Sequence, residues 1–216
     1  MIQTAFVSFL TASILTLSAV SAVPVENTPI EIGSASMSLN NRYGYDAPEN
    51  AYKDNILLNL AYLSGEVKSR KDIDWRKIRK PFTLQFSLEP GQRFAYHDLI
   101  DPQYKDNVAV TAHTNFGAGD GYKFADGLYG MGVCHLASLI HKAALSAGVE
   151  SIAPVNHDFF VIPEISKEYG VAIYSSPDAP EASAKQNLYI KNNLDSRIDF
   201  RFDFDGDNLK VIVFKS

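Results

Sequence analysis

The 216-residue chain has a single cysteine, Cys134, which stands between the turn-rich "GYKFADGLYGMG" and the helical run "VCHLASLIHKAALSAG". A thiol does nucleophilic work as its thiolate, so a free pKa of about 8.5 must fall for reaction near neutrality. A helix start favours that anion, because unpaired N–H groups and the positive end of the macrodipole meet there. A nucleophile also needs a base, and the base a group that orients it. His157 opens an apolar run, and Asp178 lies in the "SSPDA" loop beyond it. Cys134, His157 and Asp178 therefore make a candidate Cys-His-Asp set for attack on an amide carbonyl. A second reading stays open beside it. A lone cysteine is often a small core residue, His157 can be a packed or surface imidazole, and Asp178 suits a plain turn.

Around the thiol, Gly130 and Gly132 would let the backbone approach a substrate closely. His135 follows the cysteine, and Phe116 and Tyr122 lie in the glycine-rich stretch that could wall an acceptor cleft. These five are the candidate substrate-binding residues. Metal chemistry fits poorly. Cys134 and His141 are two helical turns apart, about 10.5 Å of rise, whereas zinc ligands sit only about 2.0–2.3 Å from the ion. The "DFDGDN" stretch lacks the glutamate that closes a calcium loop and reads as a hairpin turn instead. No metal and no cofactor are expected.

The elements that must hold these residues follow from periodicity. Apolar spacing predicts an amphipathic helix within 47–67 and a second helix from Val133 to Ala147, closed by Gly148. "PFTLQFSLEPGQRFAYHDL" reads as a strand, a turn and a short strand; 101–130 is polar and glycine-rich. Later β-type runs occupy 158–162, 171–175, 187–192, 196–204 and 208–214, the last two joined by an Asp-Gly hairpin signal. Helices early and strands late predict an α+β fold with a mostly antiparallel sheet and a central helix starting at the cysteine. That order of Cys, His and Asp is also the layout of papain-like and transglutaminase-like thiol enzymes.

Residues 1–22 carry no charge, are laced with Ser and Thr, and end in "VSA", as a secretory signal peptide does. Residues 23–46 then read as a loosely ordered lead-in, 47–80 as an N-terminal helical segment, and 81–216 as the main domain. Export would place the chain in the periplasm or outside the cell, with no integral membrane span after signal removal. There an unpaired thiol is conspicuous. The net charge of −5 argues against nucleic acid or an anionic membrane surface as partner. The basic run at 68–80 is interrupted by Asp72 and Asp74 and reads as a solvated helix face or linker.

The strings "SLEPGQRFAYHDL", "GYKFADGLYGMGVCHLASLIHKAALSAGVE", "NHDFF", "SPDA" and "NLYIKNN" together resemble the VanW-like family, over roughly 82–214 and in the same order. Matched by position, the family's cysteine falls on Cys134, its histidine on His157, the aspartate of its "DA" pair on Asp178, and its "NN" pair on Asn192 and Asn193. The chain departs from the pattern at Met131, inside the family's glycine triplet, at His135, where the family has glutamine, and at Asn187, where it has aspartate. The arginine before the histidine is absent. The resemblance implies an envelope setting, with peptidoglycan or cell-wall peptide as partner and a link to glycopeptide stress. It implies no particular reaction.

Overall fold

The computed structural model describes residues 28–40, 42, 46–157 and 163–216. The order is β1 (Ile30–Ser38), α1 (Asp46–Leu63), α2 (Trp75–Ile78), β2 (Phe82–Leu88), β3 (Arg93–Ala95), β4 (Val108–Val110), β5 (Phe124–Ala125) and β6 (Leu128–Tyr129). Then come α3 (Val133–Ser146), β7 (Glu150–Ile152), α4 (Pro180–Lys185), β8 (Tyr189–Lys191), β9 (Ile198–Phe204) and β10 (Asn208–Lys215). The first sheet runs β1-β10-β9-β2, antiparallel throughout. The second runs β4-β3-β8-β7, with only β3 and β4 parallel, and β5 pairs with β6. This is the expected α+β architecture, with antiparallel pairing dominant. Among the described residues no helix is long and apolar enough to cross a membrane.

Strand periodicity sorts β9 into two faces. Ile198, Phe200, Phe202 and Phe204 are buried, while Arg197 and Arg201 pair with Asp199 and Asp203 on the other face. Phe86 of β2 stacks on Phe200 and on Phe94 of β3, each at 5.0 Å between centroids, and so joins the two sheets. Helix α3 packs on β1, β10, β7 and α1. Gly33 permits this, since a Cβ there would lie 2.5 Å from the Ala147 nitrogen. Helix α1 buries Ile56, Leu57, Leu58 and Leu60 completely and belongs to the same core.

Three sequence expectations differ from the fold. The segment expected as a loose lead-in contains β1, whose Ala35 and Met37, with Leu39 just beyond, are buried although Ser and Gly dominate their surroundings. "EPGQ" does form a turn, with the Gln92 N–H donating to the Glu89 carbonyl at 2.9 Å, but the strands it joins enter different sheets. Asn192 fixes that divergence: its buried side-chain amide donates to the Leu88 carbonyl at 2.9 Å and to the Ser196 carbonyl at 2.8 Å. Residues 171–175 form no strand, for a reason that belongs to the site below. The expected leader at 1–22 and the run at 158–162 lie outside the described residues.

Phe200 is fully buried and packs on Phe86, which bridges the sheets, so Phe200→Ala is expected to cost about 3–5 kcal/mol. Urea denaturation followed by circular dichroism should show the midpoint falling by the corresponding amount.

Candidate functional site

Helix α1 positions the chain that leads into Cys134. The Tyr62 hydroxyl donates to the Asp120 carbonyl at 2.9 Å, and the Asn59 amide donates to the Tyr122 hydroxyl at 3.0 Å. Asn55 takes both main-chain groups of Lys123, accepting from its N–H at 2.7 Å and donating to its carbonyl at 3.1 Å. Asp54 receives Lys123 and a two-pronged Arg79 contact at 2.8 and 2.7 Å. Burial would raise the Asp54 carboxyl, but the Arg79 and Lys123 hydrogen bonds outweigh it and hold the group below the usual range. Four polar side chains on adjacent turns thus clamp 120–123 to the helix.

The last step into α3 depends on glycine. Gly132 sits at φ 98° as its N-cap, and a Cβ there would lie 2.8 Å from the Tyr52 carbonyl oxygen. Gly130, at φ 72°, lies against Phe116, whose carbonyl oxygen would be 3.1 Å from such a Cβ. These glycines, expected to admit a substrate, bring α3 against α1 and the Phe116 loop. Phe116 and Tyr122, expected in a cleft wall, are both buried in the core. Burial pushes the Tyr122 hydroxyl far up, which keeps it neutral.

Cys134 is the second residue of α3. Its sulfur accepts the Ile173 N–H at 3.4 Å and donates to the Ile173 carbonyl at 3.7 Å. One turn later, Ser138 accepts the Val171 N–H at 2.9 Å and donates to the Cys134 carbonyl at 2.8 Å. Alternate amides of 171–173 therefore end on two side chains of α3. The amides between them end on loops: Ala172 on the Val155 carbonyl and Tyr174 on the Gln186 carbonyl, each at 3.0 Å. This is why 171–175 is extended yet joins no ladder. Burial pushes the Cys134 thiol up, while the N–H groups of Ile173 and of Cys134 itself pull the other way and favour the thiolate. Burial prevails in this closed arrangement.

The imidazoles lie beside the start of α3. The rings of His135 and His157 are 6.3 Å apart, and Tyr52 lies edge-on to His135 at 5.2 Å. Neither ring nitrogen of His135 has a hydrogen-bond partner among the described residues. Its pKa is pushed down to about 4, first by burial and then by the charges of His157 and Arg42, with Glu164 opposing. Arg42 pairs with Glu164 at 2.7 Å. His157 is half-buried, its carbonyl oxygen against Gly170, where a Cβ would lie 2.8 Å away. Asp178 is exposed in the turn that enters α4. The fold thus brings His157 to the residue after the cysteine, while both hydrogen bonds of the sulfur go to Ile173. Sequence reasoning passed over Ile173, which acts through main-chain atoms that any residue carries. It also passed over Arg42 and Glu164, which lie 122 positions apart. Among the described residues no group of three or more potential ligands could hold a metal ion.

The buried His135 makes a pH prediction. Its folded pKa of about 4 lies below the ordinary 6.5, so the unfolded chain takes up a proton that the fold refuses. Stability is whole above pH 6.5 and is lost as pH falls toward 4. Denaturation midpoints at pH 7 and pH 5 should differ less in His135→Phe than in the parent chain. Some slope should remain, because burial shifts His97 and His141 in the same direction.

No curated protein and no solved structure matches the chain. A family model described as "VanW like protein" does match it, over residues 84–214. That span holds Cys134, His157 and Asp178, and leaves β1, α1 and α2 outside. The chain belongs to the VanW-like family.

Proposed function

We propose that the chain is an exported cell-envelope enzyme that uses Cys134 to attack an amide bond of a cell-wall peptide, as a peptidase, amidase or transpeptidase. The observation that carries this reading is the pair of N–H groups, from Ile173 and from Cys134 itself, that favours negative charge on the sulfur at the start of α3. Such donors stabilise a thiolate in a way that a merely packed cysteine does not require. Membership of the VanW-like family supports an envelope setting.

In this mechanism a wall peptide displaces the contact between the thiol and the Ile173 carbonyl, and His157 takes the thiol proton. The thiolate attacks the amide carbon, a C–S bond forms, and the N–H groups at the helix start hold the oxyanion. The C–N bond then breaks, and His157 returns its proton to the departing amine. Water or a second amine attacks the thioester and releases the thiol. Asp178, exposed in the turn that enters α4, is the carboxylate assigned to orient the imidazole. His135, neutral near pH 7, lies beside His157 without competing for the proton.

One observation favours a second reading, a non-catalytic wall-binding or accessory module. Burial raises the thiol pKa, and Ile173 satisfies the sulfur as both donor and acceptor. Incubation with purified muropeptides, followed by liquid chromatography and mass spectrometry, separates the two. The enzyme reading expects new peptide products, none from Cys134→Ala, and a loss of roughly 10²–10⁴-fold in His157→Gln. Wall binding without products, unchanged in Cys134→Ala, would establish the accessory module instead.

A further inference from the structure

Among the described residues, strand β2 ends the first sheet and has a neighbour on one side only. Among the described residues, the main-chain ladder bonds of Phe82–Ser87 run to β9, so the opposite edge presents unpaired N–H and carbonyl groups. Beneath the start of that edge lies an open groove of about 820 Å³ between α1, α2 and β2. Its apolar walls are Leu57, Ala61, Ile78, Phe82 and Leu84. Phe82 and Leu84 alternate along the strand with the exposed Thr83 and Gln85, and each is only partly covered. A free strand edge above a row of half-filled apolar positions is the arrangement by which a sheet accepts an added strand.

The rim selects by charge. Lys77, Lys80 and Glu66 are the charged residues that line the groove, and residues 66–80 hold seven Lys or Arg against three Asp or Glu in a chain of net charge −5. The three acids are already engaged. Asp72 accepts the Ser69 N–H at 2.8 Å, Asp74 accepts the Arg76 N–H at 3.0 Å, and Glu66 pairs with Lys77 at 2.7 Å. Lys80 is exposed at the very start of the strand and has no carboxylate partner among the described residues. Of the basic run that reads as a solvated face in sequence, Lys77 and Lys80 stand beside the free edge.

We propose that the β2 edge and this groove dock an extended acidic peptide segment, which adds to the sheet as a fifth strand. Its main chain pairs with Phe82–Ser87, every second side chain enters the groove, and its carboxylates meet Lys80 and compete with Glu66 for Lys77. The main-chain bonds supply affinity and the lysine rim supplies the choice of sign.

The test uses the full chain and two fluorescein-labelled heptapeptides, one alternating valine with glutamate and the other valine with lysine. Fluorescence anisotropy should show the glutamate peptide binding at least ~10-fold more tightly at low salt, with the preference shrinking as salt screens the rim. Lys77→Glu combined with Lys80→Glu, both on exposed side chains, should reverse the preference. Hydrogen exchange should slow at Phe82–Ser87 on binding. Equal affinity for the two peptides, indifference to the double substitution, or protection appearing on β1 instead would each overturn the proposal. So would a β2-to-β2 dimer that the glutamate peptide fails to displace.

Discussion

The approach of Gly132 to the Tyr52 carbonyl is the contact on which the rest of the site depends. With no Cβ, Gly132 takes φ 98° and lets α3 start against α1; a Cβ would need the 2.8 Å that the carbonyl already occupies. The placement of Cys134, the contacts of Cys134 and Ser138 with 171–173, and the position of His135 beside Tyr52 all follow from that start. Helix α1 lies outside the residues the family model covers. It nevertheless holds the preceding loop through Asp54, Asn55, Asn59 and Tyr62. Buried polar side chains of this kind are worth keeping only when each has its partner, and here the partner is one continuous segment, 120–123. The matched region thus relies on a helix that precedes it.

At the sulfur, two influences of opposite sign compete. Removal from water favours the neutral thiol, and the converging N–H groups favour the anion. The first prevails while 171–173 covers Cys134, because the Ile173 carbonyl accepts the thiol proton from the same residue whose N–H would stabilise the thiolate. Displacing that carbonyl removes the acceptor and much of the burial together. Under the proposed mechanism, activation of the thiol is tied to movement of one extended segment, which is held to α3 by two side chains one turn apart.

Much of this was legible from sequence, and the reasons differ by element. Helix α3 carries a clean apolar period and a glycine at each end, and the structure ends it one residue short of the expected Ala147. Strand β9 alternates apolar and charged residues up to Asp205-Gly206, and it pairs with β10 as a hairpin. Strand β1 was hidden because its alternation is written in Ser, Ala, Gly and Met, which carry little hydrophobic contrast. The run 171–175 has strand-like residues but gives its amides to Ser138, Cys134 and two loops, a tertiary choice that no local pattern encodes. At the site, the cysteine and its helix could be read directly. The Arg42–Glu164 pair and the Ile173 main chain could not, since one spans most of the fold and the other involves no side chain.

The central claim is that Cys134 forms a bond to its substrate. Intact-mass spectrometry of the full chain, quenched in acid within seconds of mixing with muropeptides, tests this most directly. The account predicts a thioester adduct of the acyl portion of the peptide, mapped to Cys134 by digestion and absent from Cys134→Ala. An unmodified mass in the same samples that yield new peptide products would contradict it, because the chemistry would then proceed without the cysteine.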